Sequence, residues 1–115
     1  PKVGSPAPPL KLELFRGDTR LSAAKPRLLF FWATWCAICH ASVPEVMAFA
    51  AARGVEVVAV TDEDPETLRR FFAESKEPFP AVVAIDPYRM TFQNFGVSGT
   101  PTFVLIDADG VVRHY

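Results

Sequence analysis

Apolar residues fall in short blocks whose spacing changes along the chain. Leu10, Leu12 and Leu14 alternate with Lys11 and Glu13, the period-two pattern of a half-buried strand. Residues 27–32 (RLLFFW) are a nearly continuous apolar run, as expected of a central strand covered on both faces, and residues 55–60 (VEVVAV), 81–85 (AVVAI) and 102–106 (TFVLI) read as further strands. Between them the period becomes helical. Residues 36–52 carry Val43, Val46, Met47 and Ala50 at helical spacing, with Pro44 expected to kink the helix and Arg53-Gly54 to close it. Asp64 and Pro65 read as the N-cap and first residue of a second helix, over 64–75, that turns Leu68, Phe71 and Phe72 inward. A short helix over 87–97 ends at Gly96, and residues 111–115 return after the turn Asp-Ala-Asp-Gly. The proline-rich residues 1–9 predict an extended, poorly paired lead-in. Arg16-Gly17-Asp18 reads as a turn that lets 19–21 pair back as a hairpin. The order β-β-β-α-β-α-β-α-β-β implies parallel strands in the middle and a mixed sheet.

Length and composition narrow the function. At 115 residues, half of them apolar, the chain is one domain with a real core. A net charge of −1 gives no electrostatic footprint for nucleic acid. No apolar run approaches the ~18–20 residues that span a bilayer. Pro1 in place of Met predicts a processed or trimmed chain, with any signal peptide or anchor removed.

The chemistry concentrates in FWATWCAICH, residues 31–40, which holds both cysteines, Cys36 and Cys39, with His40 directly after. Such a run serves a redox pair, part of a zinc site, or covalent haem attachment. Cys36 falls where a buried strand passes into a helix, beside unpaired N–H groups and the positive end of the macrodipole. A thiolate is favoured there, so Cys36 should ionise below the free value of ~8.5. Cys39, one turn on, is close enough to resolve a mixed disulfide. Haem needs an axial partner, for which Met47 and Met90 are the only methionines. Structural zinc needs four ligands, and would have to gather His40 and the distant His114.

The segment FWATWCAIC resembles the active-site stretch of the thioredoxin superfamily, and more narrowly of the membrane-tethered, extracytoplasmic TlpA/ResA-like proteins. GTPTFVLIDADGVV resembles the segment carrying that superfamily's cis-proline and closing hairpin, VGSPAPPLKLELFRGDTRLS its lead-in and N-terminal hairpin, and Pro44 the proline of its active-site helix. The resemblance runs from Val3 to Val112 and implies a thioredoxin-like α/β fold: a central mixed sheet flanked by helices, with an N-terminal β-hairpin extension. It also implies a cis Thr100-Pro101 bond beside the cysteines, leaving the Thr100 backbone to pair with an extended substrate. Two departures stand out. Phe30 occupies the place of the buried aspartate of cytosolic thioredoxins, and Ser42 the place where ResA-like proteins often carry a glutamate. The final helix usual in the family is expected to be missing after Tyr115.

These readings predict a thiol-disulfide oxidoreductase outside the cytoplasm, in the periplasm or on the outer membrane face. Its redox group would be a Cys36–Cys39 disulfide, with no metal or other cofactor. It would reduce protein disulfides, as in cytochrome c maturation or metal-centre assembly, and draw electrons from a membrane thiol-disulfide donor while remaining a monomer. The alternatives are an oxidant of the same fold and a redox-inactive or metal-carrying binding module. Trp32 is expected in the core and Trp35 on an apolar docking rim. His40 is either a solvated helix residue or a nearby imidazole that stabilises the Cys36 thiolate or relays a proton. Asp62, Glu63 and Asp64 read as a solvated helix cap rather than a metal site, and Phe71, Phe72, Phe92 and Phe95 as core.

Overall fold

The computed structural model describes residues 1–18 and 25–115. Its elements are β1 (Glu13–Arg16), β2 (Arg27–Phe31), α1 (Ala37–Arg53), β3 (Glu56–Thr61), α2 (Pro65–Glu74), β4 (Val82–Ile85), α3 (Met90–Asn94), β5 (Thr102–Ile106) and β6 (Val112–His114). The strands form one mixed sheet in the order β1-β4-β3-β2-β5-β6. Strands β2, β3 and β4 are parallel, while β1, β5 and β6 run antiparallel to their neighbours. The sheet carries a hydrophobic layer on each face. One layer joins Leu28, Phe30 and Trp32 to Val43 and Val46 of α1 and Leu68 of α2. The other joins Leu29, Phe31 and Val104 to Phe92 of α3. Successive residues of β2 thus enter opposite layers, which explains its unbroken apolar run.

Caps fall close to their expected places. Asp64 accepts a hydrogen bond from the Thr67 N–H and Pro65 opens α2. Gly54, at φ 64°, ends α1 in the left-handed conformation. Pro44 lies inside α1, where it withholds the N–H that would otherwise bond the His40 carbonyl.

The first eighteen residues differ most from expectation. The lead-in is paired: Pro6 bridges antiparallel to Val111, and the Gly4 and Ala7 N–H groups donate to the Val112 and Gly110 carbonyls. Because these donors are not prolines, the proline-rich segment still forms an edge. Leu10 and Leu12 then pack on the α3 layer without entering a strand, and β1 begins three residues later than the alternation suggests, pairing with β4. The returning hairpin strand at 19–21 lies outside the described residues. Arg16-Gly17-Asp18 is structural: the Arg16 guanidinium donates to the Pro80 carbonyl at 3.0 Å and lies over the Phe72 ring.

Candidate functional site

The topology collects the cysteines and the proline at one sheet edge. Phe31 pairs with Val60, and Val60 with Ala84, so the carboxyl ends of the three parallel strands share that edge. Phe31 also pairs with Thr102, so the start of the antiparallel β5, just after Pro101, lies there too. The Thr100-Pro101 bond is cis.

Cys36 is the N-cap of α1 and Cys39 lies in its first turn. The two form a disulfide. The Cys36 sulfur accepts from the Cys39 N–H at 3.2 Å and lies 3.7 Å from the Thr100 carbonyl oxygen. The helix start therefore directs an N–H at the sulfur, an arrangement that favours an anion on Cys36 once the bond is reduced. Cys36 is 5% exposed and Cys39 fully buried. Beneath them Phe30 belongs to the same packed layer, stacked on Phe103 at 5.4 Å. The position of the familiar acid is thus filled by an aromatic ring, and Ser42 donates to the Ile38 carbonyl of its own helix.

Trp35 stands 76% exposed beside Cys36, and Ile38, within the Cys36–Cys39 loop, is 68% exposed. Together they give the sulfur pair an apolar rim. The motif alone does not assign Ile38 to it. Trp32 is fully buried among Phe71, Phe72 and Phe79.

His40 is half-buried in the first turn of α1. Its ring stacks on Phe71 at 5.2 Å, and Nε2 lies 2.7 Å from the Thr34 carbonyl oxygen. A carbonyl only accepts, so Nε2 carries the proton and donates. The imidazole is thereby tied to the loop ahead of Cys36. Glu63 reaches the same residue from β3's end. The Thr34 N–H donates to Oε1 at 2.8 Å and its hydroxyl to Oε2 at 2.6 Å. Asp64 does cap α2, and its carboxyl is held below the ordinary range chiefly by the hydrogen bond from the Thr67 backbone. Asp62 pairs with Arg89. The acidic run thus holds three separate roles. Among the described residues, no group of three or more His, Cys, Asp or Glu could hold a metal ion.

A sheet with parallel central strands, a disulfide at a helix start and a cis-proline against it define the class: a thioredoxin-fold domain with a dithiol site. The family model named Redoxin matches residues 2–115, and the chain belongs to that family. It is 35% identical to the thiol:disulfide interchange protein DsbE of Xylella fastidiosa over 96% of this chain and 59% of that protein. It therefore spans about three fifths of that relative's length. A Chlorobium tepidum protein assigned as a thiol:disulfide interchange protein DsbE superposes with a TM-score of 0.74 at 32% identity, covering 98% of this chain and 83% of that one. Mycobacterium bovis AhpC reaches 0.78 at only 14% identity, over 98% of this chain and 79% of its own. That likeness speaks for the fold alone.

Proposed function

We propose that this domain is a thiol-disulfide oxidoreductase that reduces protein disulfides outside the cytoplasm. The observation that carries the reading is the unequal setting of the two sulfurs. Cys36 caps α1 at the sheet edge beneath an exposed tryptophan, while Cys39 is wholly buried one turn on. In the reduced domain the Cys36 thiolate attacks one sulfur of a substrate disulfide. That S–S bond breaks, and the departing substrate thiolate takes a proton. The Cys39 thiolate then attacks Cys36 Sγ, releasing the second substrate thiolate, which is protonated in turn. Two electrons and two protons pass to the substrate, and the domain is left with the Cys36–Cys39 disulfide. That disulfide is its redox group, with no metal or further cofactor in the cycle.

The Thr100 backbone beside Cys36 offers an edge to an extended substrate, and Trp35 and Ile38 offer apolar contact. Likeness to DsbE proteins and the TlpA/ResA-like sequence pattern favour substrates of cytochrome c maturation or metal-centre assembly. They also favour a membrane thiol-disulfide partner as electron donor. Among the described residues no helix is long and apolar enough to cross a membrane. The test is reduction of insulin disulfides together with a reduction potential from equilibration in thiol-disulfide buffers. Turnover with a potential far below the ~−120 mV of a strong periplasmic oxidant supports a reductant. A potential near that value makes the domain an oxidant, and absence of any exchange removes the enzymatic reading.

A further inference from the structure

We propose that Glu63 and His40 are positioning residues that clamp Thr34 and thereby hold the Trp35–Cys36 segment for docking of a protein disulfide; this rests on the exchange reading above. All three polar groups of Thr34 are taken. Glu63 receives its N–H and its hydroxyl, and His40 Nε2–H donates to its carbonyl. Each jaw is itself anchored. Glu63 Oε1 also accepts from the hydroxyl of Thr61, which is fully buried at the end of β3. The His40 ring is stacked on Phe71 of α2, with the Trp32 indole edge-on at 6.1 Å. The clamp thus ties the loops after β2 and β3 and both neighbouring helices to one residue.

The side chain next to Thr34 has little packing of its own. Trp35 is among the most exposed large apolar side chains of the protein. The Cys36 N–H donates to the Ala33 carbonyl at 3.1 Å, so the exposed residue is carried on a turn whose centre the clamp fixes. A rim held from its backbone presents the indole to a partner without first having to be ordered, which lowers the entropic cost of docking. A small disulfide, attacked directly at its sulfur, has no need of the indole. The two substrate sizes should therefore respond differently when the clamp is loosened.

The experiment compares Thr34→Val, Thr34→Ser, Glu63→Ala and Glu63→Gln with the unmodified protein. It measures kcat/KM for insulin and the second-order rate with a small aromatic disulfide. Thr34→Val and Glu63→Ala should lower the ratio of the protein rate to the small-molecule rate by about 10-fold or more, since ~1 Å of misplacement can cost ~100-fold. The loss should appear mainly in KM. Thr34→Ser keeps all three polar groups of the clamped residue and should restore most of the ratio, whereas Glu63→Gln keeps one acceptor oxygen and puts a donor NH2 in place of the other, and should restore only part of it. The fluorescence anisotropy of the acrylamide-quenchable tryptophan should fall with the ratio, because Trp32 is fully buried and only Trp35 is quenched. An equal loss on both substrates, or a lowered Tm with ratio and anisotropy unchanged, overturns the clamp as a docking device. If the unmodified protein reduces neither substrate, the exchange reading fails separately, and anisotropy alone decides whether the clamp holds Trp35.

Discussion

Phe30 gives the sharpest energetic test of how this site is built. It is fully buried in the layer that also holds Cys36 and Cys39. Its ring is stacked on Phe103 at 5.4 Å, with interplanar angle 4°, and lies 6.4 Å from Phe79. Truncation to alanine removes the transfer energy of a whole ring and leaves a cavity in a packed layer, together about 3–5 kcal/mol. Part of that comes from the aromatic pair, worth ~0.5–1.5 kcal/mol beyond area burial. Phe30→Leu keeps most of the volume and should cost about 1.5 kcal/mol or less. Phe30→Asp, which restores the residue type of cytosolic thioredoxins, creates the same cavity and adds a carboxyl among Phe79, Phe103 and the sulfurs. Burying a polar group without a partner costs a further ~1–3 kcal/mol in proteins. Together these take about 4–8 kcal/mol from a typical stability of ~5–15 kcal/mol, so the aspartate variant should be the least stable of the three. Urea unfolding of the oxidised protein, followed by far-UV circular dichroism, gives the three values. An alanine variant that loses under about 1.5 kcal/mol, or an aspartate variant as stable as the leucine one, would refute the claim that a ring fills the acid's position.

Other outcomes rest on local geometry. Gly17 has φ 90°, and a Cβ there would lie 2.8 Å from the Val82 Cα and 2.9 Å from the Ala81 carbonyl oxygen; Gly17→Ala should therefore lower Tm by more than an exposed Gly54→Ala, where nothing lies within 4 Å. Asp107 is held below its ordinary value of 3.8, first by the Val111 backbone N–H and then by the Arg113 side chain. A depressed carboxyl stabilises the fold above its unfolded value and loses that contribution as pH falls through the folded one. Asp107→Asn should thus be less stable than the parent at pH 7, with the gap closing below about pH 4; a gap that widens in acid would contradict the assignment.

The sequence made the site's frame legible because that frame is local. A helix start, a proline at its first turn, a glycine at its end and a two-residue spacing of cysteines are all written within a few neighbouring residues. Thus Cys36, Cys39, Gly54, Asp64 and Pro65 stand where local pattern places them. The cis bond at Thr100-Pro101 is reached only through family resemblance, since nothing in its immediate neighbours requires it. Pairing over distance is what local pattern misses. The alternation of Leu10, Leu12 and Leu14 predicts one covered face, but only Leu10 and Leu12 are half-buried; Leu14 is 49% exposed and Phe15 packs inward instead. Here Leu10 and Leu12 cross the sheet face, and hydrogen-bonded pairing starts only at Glu13. His40 and Glu63 are six and twenty-nine positions from Thr34, and no periodicity connects them. Charge and spacing alone make Glu63 a solvated loop residue, whereas the strand register brings it against the loop ahead of Cys36.

The division of labour between the two sulfurs is the central claim, and trapping tests it most directly. Cys39→Ser and Cys36→Ser variants are each reduced, mixed with an oxidised protein substrate, quenched in acid and analysed by mass spectrometry. With the resolving thiol removed, the mixed disulfide should accumulate on Cys36 in the Cys39→Ser protein. The Cys36→Ser protein, left with a fully buried sulfur, should form almost none. Adducts on Cys39 of the Cys36→Ser protein, formed as fast as those on Cys36, would contradict the account.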